Sequence, residues 1–97
     1  MKKEIFSIQG KVWKYSGPAG WYFVYVPKKE SEEIKKKSRV TVGFGFVPVQ
    51  VTVGESTWKT TLFPTKEGPY LLSIKANIRK TESIYEGDEI SVKFMLS

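Results

Sequence analysis

The chain has 97 residues, a formal net charge of +6, 40% hydrophobic and 14% aromatic residues, and neither cysteine nor histidine. Its length suits one domain with a modest core, and its aromatic content supplies enough apolar surface to offset the entropy of ordering, which argues against a disordered chain. Without cysteine there are no disulfides, thiolate zinc sites or Cys nucleophiles; without histidine the commonest general base and transition-metal ligand is missing.

Every basic residue except Arg39 and Arg79 is lysine, and every acid except Asp88 is glutamate. A Lys/Glu surface of this kind is typical of hyperthermophile proteins. It explains the high pI of 9.6 more simply than nucleic-acid binding, the competing account. The start, "MKKEIFSIQG", alternates like a strand and resembles no signal peptide, and no apolar run approaches the ~20 residues of a membrane span. The expected location is the cytoplasm.

In "EIFSIQGKVWKY", Phe6, Ile8, Gly10 and Val12 share one face of a long strand, and Ser7, Gln9, Lys11 and Trp13 the other, as period-two side chains do. "SGPAG" at 16–20 is a turn. "WYFVYV" at 21–26 is apolar on both faces, so it reads as a central strand forming a hairpin with the first. Pro27 ends it. "KKESEEIKKKS" at 28–38 carries Glu32–Lys36 and Glu33–Lys37 in the favourable order at i,i+4. That predicts a short solvated helix, with Ile34 its lone and weak apolar anchor.

"RVTVGFGFVPVQVTV" at 39–53 ends in an alternation that turns Val49, Val51 and Val53 inward. "GES" at 54–56 turns the chain into "TWKTTLF", where Trp58, Thr60 and Leu62 share a face, and Pro64 stops it. "PYLLSIKA" at 69–76 predicts a strand with Tyr70, Leu72 and Ile74 together. "NIRKTES" predicts about two helical turns and "EGD" at 86–88 a tight turn. "EISVKFML" at 89–96 is the last strand, with Ile90, Val92, Phe94 and Leu96 on one face. The sum is a mainly β chain of six to seven strands with two short helices. Turn signals about every ten residues point to a small barrel or sandwich, and barrel closure would hide the edges of valine-rich strands.

The segments "WKYSGPAGWYFVYVPKK", "VPVQVTVGESTWKTTLFP" and "YLLSIKANIRKTESIYEGDEISV", in that order, resemble a bacterial and archaeal domain-of-unknown-function family of small β-barrel proteins. Some of its members are fused to a bacteriocin-protection (OmpD-associated-type) segment. The resemblance implies a barrel similar to the double-split barrels of the cradle-loop group. It implies no activity, and sharing that fold with DNA-binding regulators carries no function across.

Arg79 and Lys80 are the principal candidate for a ligand site. An arginine fork and a lysine point charge suit a phosphate or carboxylate, and the pair falls between two strand ends, where loops form sites. The plain alternative is a surface pair that closes a helix or meets a nearby glutamate. "WKTTLFP" brings Trp58 and Thr60 to the same expected rim. In "EGD", Gly87 supplies the positive φ of a turn and Asp88 an acceptor for backbone N–H groups; a lone aspartate makes a poor metal site. "VGFGFVP" at 42–48 departs from both phosphate-loop patterns and reads as a bulge or close approach. The lysine runs around 28–37 are interleaved with acids and read as a solvated helix.

Among the aromatics, Trp21, Phe23 and Trp58 are expected in the core. Trp13, on an outer face with Lys11 and Tyr15, is the better candidate for stacking nucleic-acid bases. No catalytic set completes itself: Ser56 and Lys59 fall on opposite strand faces, and Ser73 with Lys75 lacks any sign of a desolvated lysine. The expectation is therefore a monomeric or homodimeric binding module rather than an enzyme. It needs no cofactor or metal, and its partner is a small anion or a protein, with nucleic acid as the alternative.

Overall fold

The computed structural model describes residues 5–18, 20–37 and 45–96, and leaves the side chain of Lys37 undescribed. Along the chain these form β1 (Ile5–Lys11), β2 (Trp13–Lys14), β3 (Tyr22–Tyr25), α1 (Lys28–Lys37), β4 (Val47–Val53), β5 (Ser56–Leu62), β6 (Leu71–Ser73), α2 (Ala76–Thr81) and β7 (Glu89–Leu96). The strands make two antiparallel sheets, one ordered β1-β7-β4-β5 and the other β2-β3-β6. Of the bulge or close approach expected at 42–48, residues 42–44 lie outside the described residues, and Val47 and Pro48 belong to β4.

Alternation decides what is buried. Val47, Val49, Val51 and Val53 on β4 face inward with Val92 and Phe94 on β7 and Phe6 and Ile8 on β1. Phe6 and Phe94, register partners, stack with centroids 5.2 Å apart. From the other sheet Val24 and Leu72 complete the same core. Pro48 falls one residue outside the β4–β7 pairing and pairs with Thr61 of β5.

The first predicted strand divides in two. Gly10 and Lys11 pair with β7, Trp13 and Lys14 with β3, so the chain crosses from one sheet to the other at Val12. The "EGD" turn pins that corner: Val12 N–H donates to Asp88 O at 2.8 Å, and Gly87 N–H donates to Val12 O at 2.7 Å. Gly87 has φ +92°, and Tyr85 N–H donates to Asp88 Oδ2 at 2.8 Å. The turn thus does what its composition predicts, and it also joins the two sheets. The second seam is a single bridge, Phe63 to Leu71, from the end of β5 to β6. No closed barrel is found among the described residues: the hydrogen-bonded ladders belong to two sheets, linked by one shared corner and one bridge.

Two further differences are local. The predicted strand at 69–76 is regular over three residues only, and its flanks continue the same register against β3. Tyr70 O accepts from Val26 N, and Ile74 N–H donates to Tyr22 O. Helix α1 is anchored more firmly than one isoleucine suggests. Ile34 is fully buried, and so is Ser31, whose Oγ donates to Val26 O at 3.1 Å and accepts from Tyr70 N–H at 3.0 Å. Helix α2 stops where Ser83 adopts φ +54°, with Ile84 N–H reaching back to Arg79 O at 2.8 Å and Ser83 N–H to Lys80 O at 3.4 Å. That is a Schellman-type close made with serine where glycine is usual. Among the described residues no helix is long and apolar enough to cross a membrane.

Candidate functional site

Helix α2 is seated by Ile78, which is buried in the core. The next residue, Arg79, therefore lies at the margin of the helix, half-buried. Its Nε–H donates to Ile74 O at 3.2 Å, and its guanidinium carbon lies 3.7 Å from the centroid of the Tyr22 ring. Lys14, the register partner of Tyr22, holds Nζ 5.9 Å from the same ring. A guanidinium laid on an aromatic face is held in orientation by the ring's quadrupole and keeps its outer N–H groups for an acceptor. Among the described residues no other hydrogen bond or ion pair engages it.

Arg79 and Tyr22 form a wall shared by two cavities. One, about 300 Å³, is also lined by Lys80, Tyr85 and Glu86. The other, about 240 Å³, lies against Trp21, Ser73 and Lys75. Together they gather three cations and one carboxylate. Positive charge in a partly enclosed place raises the local concentration of anions.

A third cavity, also about 300 Å³, is apolar. Trp13, Tyr15, Trp21, Phe23, Phe63 and Leu71 line it. Apart from Phe63, which follows β5 and bridges to Leu71, these side chains lie on the outer side of the three-stranded sheet, opposite the face that buries Val24 and Leu72. Trp21 stacks on Phe23 at 5.8 Å and 5°, Trp13 stacks on Tyr25 at 5.2 Å and 21°, and Tyr15 meets Phe23 edge-on at 6.3 Å. Trp21 remains 45% exposed and Tyr15 48%. The indole N–H of Trp13 is buried with no partner among the described residues, a state that costs about 1–3 kcal/mol.

A family model described as a domain of unknown function, DUF1905, matches residues 9–94. The chain belongs to the DUF1905 family. The match spans both sheets, both helices and all three cavities. A search of curated proteins finds no match.

Within this DUF1905 domain the four residues expected at one rim separate into two pairs. Arg79 and Lys80 line the same cavity. Trp58 and Thr60 line none of the three: Trp58 is only 9% exposed and belongs to the core, and Thr60 is half-buried on the same inward side of β5. Their strand approaches α2 at its start instead, where Ser56 Oγ donates to Glu82 Oε2 at 2.5 Å. Trp13 and Tyr15 share the aromatic cleft as their common face implies. Lys11 does not line it; it lies on β1 opposite Glu89, in the other sheet, because the chain changes sheets at Val12. Trp21, expected in the core, is at the surface. It precedes β3 and lies on the outward side with Phe23, which its own neighbours cover. The sequence marks neither Tyr22 nor Lys75 as an anion-site residue; Lys75 stands out only beside Ser73, as a catalytic pair that does not complete itself. The only trace of Tyr22 is its parity, opposite to Phe23 along "WYFVY". Among the described residues no group of three or more acidic side chains could hold a metal ion.

Proposed function

We propose that this DUF1905 domain is a non-enzymatic binding module that takes an anionic ligand at Arg79, with Lys75 and Lys80 beside it. One observation carries the reading: the Arg79 guanidinium is held by the Ile74 carbonyl and the Tyr22 ring, on the wall between two cavities, and no other partner among the described residues takes its remaining donors. An arginine of a mere surface pair has no such bed, and its entropy is lost for little return. Here that entropy is already lost, so an incoming phosphate or carboxylate meets a preorganised fork. In this reading Trp58 and Thr60 support the frame, and the two sheets act as a barrel-like scaffold that holds β3 and α2 in register.

Calorimetric titration with inorganic phosphate, pyrophosphate and a dicarboxylate tests the proposal. At least one anion should bind, with affinity falling as salt rises, and Arg79→Gln should abolish the binding. If none of these anions binds, or if Arg79→Gln binds them equally, the reading fails.

A further inference from the structure

We infer that the anionic ligand is single-stranded nucleic acid, its bases stacked in the aromatic cleft and its phosphates held along Lys75, Arg79 and Lys80. The inference rests on the anion site proposed above and extends it. The deciding feature is Trp21. Its side chain lines the aromatic cleft on one side and the cavity of Lys75 and Arg79 on the other. Arg79 in turn lines that cavity and the one of Lys80. The three cavities therefore follow one another as aromatic, then cationic, then cationic, each sharing a wall with the next.

Few ligands ask for both chemistries side by side. A simple anion uses the basic cavities and leaves the aromatic face wet. An apolar peptide uses the aromatic face and has no use for three cations. A nucleotide chain carries a flat π-face and a phosphate in every repeat, and each base offers that face whatever its identity. The cleft's own rings are arranged to receive it: Trp21 and Tyr15 are among the most exposed large side chains described, and both flank Phe23 without covering each other. A duplex keeps its base faces inside the stack and has none free to meet the aromatic cleft. Single strands should accordingly be preferred.

Fluorescence anisotropy with labelled oligo(dT) and oligo(U) of roughly ten nucleotides, within the length one small β-domain covers, tests this. A duplex of equal length and inorganic polyphosphate serve as the other arms. Both single strands should bind at low salt and the duplex more weakly. With three phosphate contacts the log–log salt slope should be about −2, a loss of about an order of magnitude between 50 and 200 mM salt. Trp21→Ala, at an exposed position, should weaken single-strand binding roughly five- to 150-fold, from about 1–3 kcal/mol per stacked base, and leave the salt slope unchanged. Lys75→Gln with Lys80→Gln, both at exposed positions, should flatten the slope by about 1.4. Trp21→Phe should restore most of the affinity. The inference is overturned if neither single strand binds, if the duplex binds as well, or if Trp21→Ala has no effect. Polyphosphate binding that depends on Arg79, without any preference for single strands, would sink the inference and leave the anion site standing. No binding to any arm, together with no small anion bound in the calorimetry, would remove both.

Discussion

Replacing Arg79 tests whether the tie between α2 and β3 carries stability as well as a charge. Arg79→Ala removes a cation from the face of Tyr22, which contributes about 1 kcal/mol at a partly desolvated position. It also removes the Nε–H bond to Ile74 O, which at 3.2 Å sits at the weak end of charge-assisted bonds and contributes about 1 kcal/mol. The combined loss should be about 2 kcal/mol, or roughly 8–16 °C in Tm for a domain of this size. Arg79→Lys keeps the charge but neither the planar stack nor the Nε donor, so it should lose more than half as much. A double-mutant cycle with Tyr22→Leu isolates the stack. Urea denaturation of the wild type, both single variants and the double variant should give a coupling of about 1 kcal/mol. Additivity within about 0.4 kcal/mol would show that the ring does not hold the guanidinium, and the preorganised fork would lose its basis.

Ser31→Ala should destabilise by about 2–3 kcal/mol in chemical denaturation, because it leaves the buried Tyr70 N–H without its acceptor; a loss below about 0.5 kcal/mol, the usual size of a surface change, would mean that the α1 anchor is Ile34 alone. Burial raises the Tyr70 hydroxyl above its usual 10.0. The unfolded chain therefore releases that proton first, and the folded state binds more protons above this point. Stability from Tyr70 is fully present below about pH 10 and is lost as pH rises from there towards the folded value. Tyr70→Phe should make the fall in unfolding free energy between about pH 9 and 11 shallower, measured against the wild type so that lysine titration cancels.

The tertiary structure gives the basic residues unequal roles. Most are lysines on exposed strand or helix positions, where a charge contributes solubility and little else. Lys75, Arg79 and Lys80 differ because a six-residue helix seated by Ile78, with Lys75 as its N-cap, presents them at the mouth of two cavities. Their environment separates them from the remaining lysines; their composition does not.

Local periodicity was enough for much of this protein. Alternation along β4, β5 and β7 identified Val49, Val51, Val53, Val92 and Phe94 as buried, since a strand facing one core must alternate. The turn at Glu86-Gly87-Asp88 was legible because positive φ and a side-chain acceptor leave marks in the residue types themselves. The pair Arg79-Lys80 was legible as a candidate because arginine is rare in this chain. Tertiary structure decided the rest, because each remaining question concerned residues far apart in sequence. The break at Val12 depends on the Asp88 carbonyl and the Gly87 N–H. The depth of Ser31 depends on Tyr70. Trp21 and Trp58 look alike in a sequence of alternating aromatics, yet one lies on the outer side of a three-stranded sheet and the other inside a four-stranded one. Which side of a strand meets water is a property of the sheet it joins, and that choice placed Trp21 between an aromatic cleft and Arg79.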